Sequence, residues 1–182
     1  MGVNQLKKAG IVFSIILIYF ILYFLQVNFF SWFTISGVKP NLFVLLALFI
    51  GIFINGKTGA IMGFIIGLYT DFLFSNIIGI SAILLAVIGF FGDYLEKKFS
   101  KDSKITMVLM GSIVTAIYEI IIVTFRIIKL SVSINLISYI SILAIEILYN
   151  AFIIIIFYPL IHKFGLYAES VFKNKKMLTR YF

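Results

Sequence analysis

Residues 38–51 read VKPNLFVLLALFIG, and residues 56–95 continue GKTGAIMGFIIGLYTDFLFSNIIGISAILLAVIGFFGDYL. Pro40 and Asn41 open an apolar run that the turn Asn55-Gly56-Lys57 ends. A second run follows to Phe74 and a third after Asn76. None alternates apolar and polar residues as a membrane strand does, so the runs read as helices. Working outward adds a run on the N-terminal side and two on the C-terminal side. The expected spans are Ala9–Phe33, Asn41–Ile54, Thr58–Phe74, Ile77–Phe91, Ile105–Phe125 and Leu136–Ile161. The chain therefore reads as an all-α integral membrane protein of six transmembrane helices in a single polytopic domain, 1–182.

Composition agrees. Of 182 residues, 63% are hydrophobic and 12% charged. Soluble domains hold about 45–50% apolar and about 25% charged residues, so lipid is the solvent for most of this chain. The run from Ala9 is too long for a signal-peptide core and is followed by no small-x-small cleavage site, so it reads as a retained helix. The second span is short against the roughly 20 residues that a bilayer asks for. A re-entrant loop there would bury Lys57, so a short span in a locally thinned surround is the cheaper solution.

Fifteen Lys and Arg against seven Asp and Glu give a net charge of +8. With the N-terminus inside, Lys7, Lys8, Lys57, Lys97, Lys98, Lys101, Lys104, Lys163, Lys173, Lys175, Lys176 and Arg180 are cytoplasmic, and Lys39, Arg126 and Lys129 lie outside. That asymmetry follows the positive-inside rule and sets both termini in the cytoplasm. The cations bind anionic lipid headgroups, and the tail 162–182 reads as a basic interfacial helix or a frayed end. No basic stripe lies on a soluble segment, so nucleic acid is not an expected partner.

Catalytic groupings are missing. The chain has no cysteine and one histidine, His162, at a helix end. No Ser-His-Asp set, phosphate-cradling loop or zinc spacing can be assembled, so neither an enzyme nor a cofactor or metal is expected. Three features do break the apolar pattern. Gly59, Gly63, Gly67 and Asp71 recur every four residues and form one slowly drifting stripe, along which another helix can approach closely, within this chain or from a partner. Asp71 either caps the turn around Ser75, Asn76 and Gly79 or pairs with Lys39, Arg126 or Lys129. Glu119 and Glu146 are the two deepest carboxylates, with Tyr118, Ser112, Thr115 and Asn150 nearby. They are either a relay or a buried structural pair.

The stretch from Val38 resembles the MreD family of the bacterial rod-shape (elongasome) machinery. The likeness rests on Pro40-Asn41, the Gly59/Gly63/Gly67 ladder with Gly67-Leu68, Asp71, and Gly79 eight residues on. It is clear over about 38–95; elsewhere only hydropathy agrees. It implies a non-catalytic scaffold in the bacterial inner membrane that partners MreC. Through MreC it would link MreB filaments to RodA and a class B penicillin-binding transpeptidase, directing side-wall peptidoglycan synthesis. Pro40, Asn41, Gly59, Gly63, Gly67, Asp71 and Gly79 are then the expected partner-binding residues. MreD-like chains also resemble the S components of energy-coupling-factor vitamin transporters. The alternative expectation is thus substrate binding by Trp32, Thr34, Ser36, Asn76, Ser131, Ser133 and Asn135, although the first helix lacks the Ala-x-x-x-Ala pattern of coupling-subunit docking.

Overall fold

The computed structural model describes residues 3–74, 78–130 and 135–173. Ser75, Asn76, Ser131, Ser133 and the end of the basic tail with Lys175, Lys176 and Arg180 lie outside the described residues. Among the described residues six helices follow one another. The first, α1, runs as an α-helix over Val3–Phe24, a π turn over Leu25–Phe29 and a last α turn over Phe30–Trp32. The others are α2 (Leu42–Phe53), α3 (Gly56–Phe74), α4 (Ile80–Lys98), α5 (Lys104–Leu130) and α6 (Leu136–Phe172). By length and composition, four are able to cross a membrane: α1, α3, α5 and α6.

Local chemistry sets the helix starts. Asn41 accepts a hydrogen bond from the Val44 amide (3.4 Å), Asn55 from Thr58 (2.7 Å), and Asn135 from Ile137 (3.0 Å). Each side chain satisfies an amide that has no partner in the first helical turn. Between α1 and α2 the chain reverses at Ser36 (φ 51°) and Gly37 (φ 79°), flanked by paired Ile35 and Val38. Positive φ at both central positions is the pattern of the tight primed turns.

The shortest helix is the centre of the molecule. Eleven of the twelve residues of α2 are buried, and it touches all five other helices. A helix apolar on every side belongs in an interior. At about 18 Å it falls short of the hydrocarbon thickness, yet protein rather than lipid surrounds it. The outward faces of the longer helices carry exposed Phe13, Phe20, Ile61, Phe72, Ile113 and Leu148, as expected where lipid is the solvent.

Several helices run past the expected spans: α1 begins at Val3 rather than Ala9, α5 ends at Leu130 rather than Phe125, and α4 and α6 gain the most at their C-terminal ends. α4 was expected to end at Phe91 and reaches Lys98; α6 was expected to end at Ile161 and reaches Phe172. The added turns of α4 and α6 are polar and pair with one another. Lys101 is 8% exposed and lies 2.7 Å from both Glu96 and Glu169. Lys173 lies 3.2 Å from Glu96 and 3.4 Å from the Ile52 carbonyl at the end of α2. His162 and Asp102 meet at 3.0 Å, and the Tyr158 hydroxyl donates to the Asp102 carbonyl (2.6 Å).

Candidate functional site

The glycine stripe of α3 packs inside the chain. A Cβ on Gly59 would collide with the Gly89 backbone, one on Gly63 with the Leu85 carbonyl, and one on Gly67 with Ser81 and Ala82. The contact is reciprocal: Gly89 meets the Gly59 backbone, and Gly92 meets Leu48 and Gly51 of α2. Backbones of α2, α3 and α4 therefore touch directly, where only glycine leaves room.

Asp71 is fully buried at the end of this seam. Its Oδ2 accepts from the Gly79 amide (2.8 Å) and the Ala82 amide (3.2 Å). Asp71 thus caps α4 from the neighbouring helix, supplying the acceptor that the N-cap residue Gly79 lacks. Gly79 holds φ 104°, a left-handed conformation that glycine adopts without strain. The two residues lie eight positions apart in the chain. No ion pair joins Asp71 to Lys39, Arg126 or Lys129 among the described residues.

Next to this seam lies a cavity of about 560 Å³. All six helices and the α1–α2 connection line it. Gln26 and Val27 come from the π turn, Pro40 and Asn41 from the head of α2, Thr70 from α3, Ser81 from α4, Tyr118, Glu119 and Arg126 from α5, and Glu146 from α6. π turns inside α-helices occur often at functional sites. Here the π turn carries Gln26, whose amide donates to the Pro40 carbonyl (2.6 Å). Exposed Ser31, Lys39, Phe74 and Arg126 form the mouth; buried Phe43, Tyr118 and Glu146 form the floor.

Asn41 joins the two sequence features. Its backbone amide donates to Asn150 Oδ1 (2.9 Å) and its side chain to Glu119 (3.4 Å). Asn150 in turn donates to Thr115 (2.9 Å). Glu119 and Glu146 are hydrogen-bonding neighbours of each other and of Asn41. The structure therefore brings Pro40, Asn41, Glu119 and Glu146 into one cavity and puts Gly59, Gly63, Gly67, Asp71 and Gly79 on the seam beside it. Of the expected outer polar residues, Trp32 is 88% exposed and lines no part of the cavity.

Three contributions were not singled out in the sequence. Gln26 follows the long apolar run Ile15–Leu25 of α1, which is its only signal. Gly89 and Gly92 bracket Phe90-Phe91, and their spacing of three marks a small-residue face once a glycine-lined partner is known. Lys101, Glu169 and Lys173 lie outside the apolar runs, in loop and tail, so no local pattern shows their pairing.

A family model described as rod shape-determining protein MreD matches residues 7–167. No curated protein and no solved structure matches the chain.

Proposed function

This chain belongs to the MreD family of rod shape-determining proteins, and from that premise we propose that it is the non-catalytic membrane scaffold of the elongasome. It is a multi-pass membrane protein. In this reading it partners MreC and through it links MreB filaments to RodA and the class B penicillin-binding transpeptidase, so that side-wall peptidoglycan is laid down along the rod. The observation that carries the proposal is a family match spanning nearly the whole chain. All six helices cross the bacterial cell membrane, with both termini inside, as the distribution of Lys and Arg supports. The cavity then opens outward, and the Glu96–Lys101–Glu169–Lys173 cluster faces the cytoplasm. The helices pack in the manner of a transporter S component.

We assign the MreC contact to the α3–α4 pair and the adjoining turn. Gly59, Gly63, Gly67, Asp71 and Gly79 shape this surface from within, and Pro40 and Asn41 hold its outer edge. The outer face of α3 offers Ile61, Ile65 and Phe72, all more than half exposed, as side chains for a partner helix. Pull-down of the tagged protein from native membranes in gentle detergent, read by mass spectrometry, tests the scaffold role. Recovery of MreC, RodA or the transpeptidase supports it. Recovery of an energy-coupling transmembrane subunit with paired ATPases would replace it with the substrate-binding S component of a vitamin transporter, a reading that the outward cavity alone favours. Replacing Ile61, Ile65 and Phe72 together by Ala should reduce MreC recovery while the protein stays folded; unchanged recovery would remove the contact from α3.

A further inference from the structure

The cavity has a charge arrangement that a partner-docking role does not use. Glu119, Ile122 and Arg126 follow at intervals of three and four on α5 and all line it. Seven residues are two turns of helix and about 10 Å of rise. One wall therefore carries a carboxyl low and a guanidinium high. Glu146 stands across the floor beside Glu119, and Lys39 stands at the mouth with Arg126. Lys39 donates to Ser31 (2.8 Å). Arg126 is exposed and makes no hydrogen bond or ion pair to any described residue. The rest of the lining mixes apolar Ile80 and Ile122 with uncharged Gln26, Thr70 and Ser81.

An acid pair below and cations above select a ligand with the opposite order: a positive group that goes in first and an anion behind it. An ammonium has three donors, matching the two carboxyls and the second lone pair of the Asn41 oxygen that also caps α2. A phosphate one short linker away meets the fork of Arg126 and the Lys39 ammonium, and charge-assisted contacts of this kind are the strong ones. An inorganic cation fits less well, since no group of three or more His, Cys, Asp or Glu converges among the described residues.

We propose that this cavity binds an amine–phosphate zwitterion of the phosphoethanolamine type, with its ammonium at Glu119, Glu146 and Asn41 and its phosphate at Arg126 and Lys39. The ligand is either the headgroup of an aminophospholipid entering from the adjacent leaflet or a soluble phosphoethanolamine. Of its residues only Asn41 is shared with the assigned MreC contact; Lys39, Glu119, Arg126 and Glu146 are not.

The purified full chain in nanodiscs of phosphatidylcholine and phosphatidylglycerol is titrated with dihexanoyl phosphatidylethanolamine, and binding is read by native mass spectrometry. Dihexanoyl phosphatidylcholine and phosphatidylglycerol serve as comparison probes, the first lacking N–H donors and the second lacking the amine. The expected result is one saturable site for the ethanolamine lipid, at least about tenfold tighter than for either comparison probe. Arg126→Gln and Glu146→Gln should each weaken it by about tenfold. Arg126 is exposed and without polar partners among the described residues, so its variant reports even where Glu146→Gln fails to fold. Displacement of the lipid by free O-phosphoethanolamine at similar concentration identifies a soluble ligand; failure to displace identifies the lipid headgroup. Equal binding of the three lipids, or full binding by Arg126→Gln, overturns the proposal.

Discussion

At the scale of single residues, Asp71 and Gly79 work as one device. The carboxylate accepts two amides at the head of α4, and the glycine bends the chain so that those amides point at it. Asp71→Ala leaves both donors buried without an acceptor and should destabilise the protein by about 1–2 kcal/mol. Asp71→Asn keeps an acceptor oxygen in place and should lose less than half of that. Thermal unfolding in detergent, followed by intrinsic fluorescence, separates the two variants. Equal losses would mean that the charge matters rather than the cap. Capping was one of two roles open to Asp71 in the sequence, because its distance to Gly79 suits a turn. The choice needed coordinates, since Lys39, Arg126 and Lys129 are equally available to it on paper. Asn41 shows the opposite case. Its place before an apolar run announces a helix cap, while its hydrogen bonds to Asn150 and Glu119 span 109 and 78 residues and leave no trace in local pattern.

Among the elements, the seam of α2, α3 and α4 depends on backbone contact. Half of it was legible: a glycine every fourth residue on α3 marks a face for close approach. The other half was not, because Gly51, Gly89 and Gly92 follow no single four-residue period and acquire meaning only against α3. A Cβ at Gly59 or Gly89 falls on main chain rather than on a movable side chain, so the helices must separate. Gly59→Val and Gly89→Val should therefore each cost about 2–3 kcal/mol, the upper part of the range for overpacking. Because both substitutions press on one contact, their double variant should lose clearly less than the sum of the two. Additive losses in thermal melts of the four proteins would show that the two glycines do not share a seam. The ends of α4 and α6 were missed for a related reason. Hydropathy counts Asp93, Glu96, Lys97, Glu169 and Lys173 against a helix, although in the folded chain Lys97 pairs with Asp93 along α4 and the glutamates pair with Lys101 and Lys173.

For the whole molecule, the consequence is that the two ends are held by different chemistry. The cavity end is closed by amide and carboxyl hydrogen bonds, the opposite end by a cluster of charges from three elements: Asp93, Glu96 and Lys97 of α4, Lys101 and Asp102 of the connection, and His162, Glu169 and Lys173 of α6. Burial pushes the Glu96 carboxyl up, but the hydrogen bond from Lys101 and the charges of Lys101 and Lys173 outweigh it and hold the group below its ordinary 4.5. Burial pulls the Lys101 ammonium down, and Glu169 and Glu96 together raise it above its ordinary 10.5. A depressed carboxyl stabilises the fold above its unfolded value and loses that contribution as pH falls through its folded one; a raised ammonium does so below its unfolded value and loses it as pH climbs through its folded one. The cluster should therefore contribute fully between about pH 4.5 and 10.5. Lys101→Met removes the central cation and leaves Glu96 and Glu169 with Lys173 alone. The loss near pH 7 should be about 2–3 kcal/mol, under the usual 3–5 for an orphaned buried charge because Lys173 remains. Lowering the pH toward 4 protonates the stranded carboxyls in the variant but not Glu96 in the parent protein, so the stability gap should narrow. His162 and Asp102 are present in both proteins and cancel in the difference. Melting both in detergent at half-unit steps from pH 4 to 8 measures the gap directly. A gap that stays constant across those steps would show that Lys101 acts through its packing over the Phe53 ring, 5.7 Å away, rather than through the acids it joins.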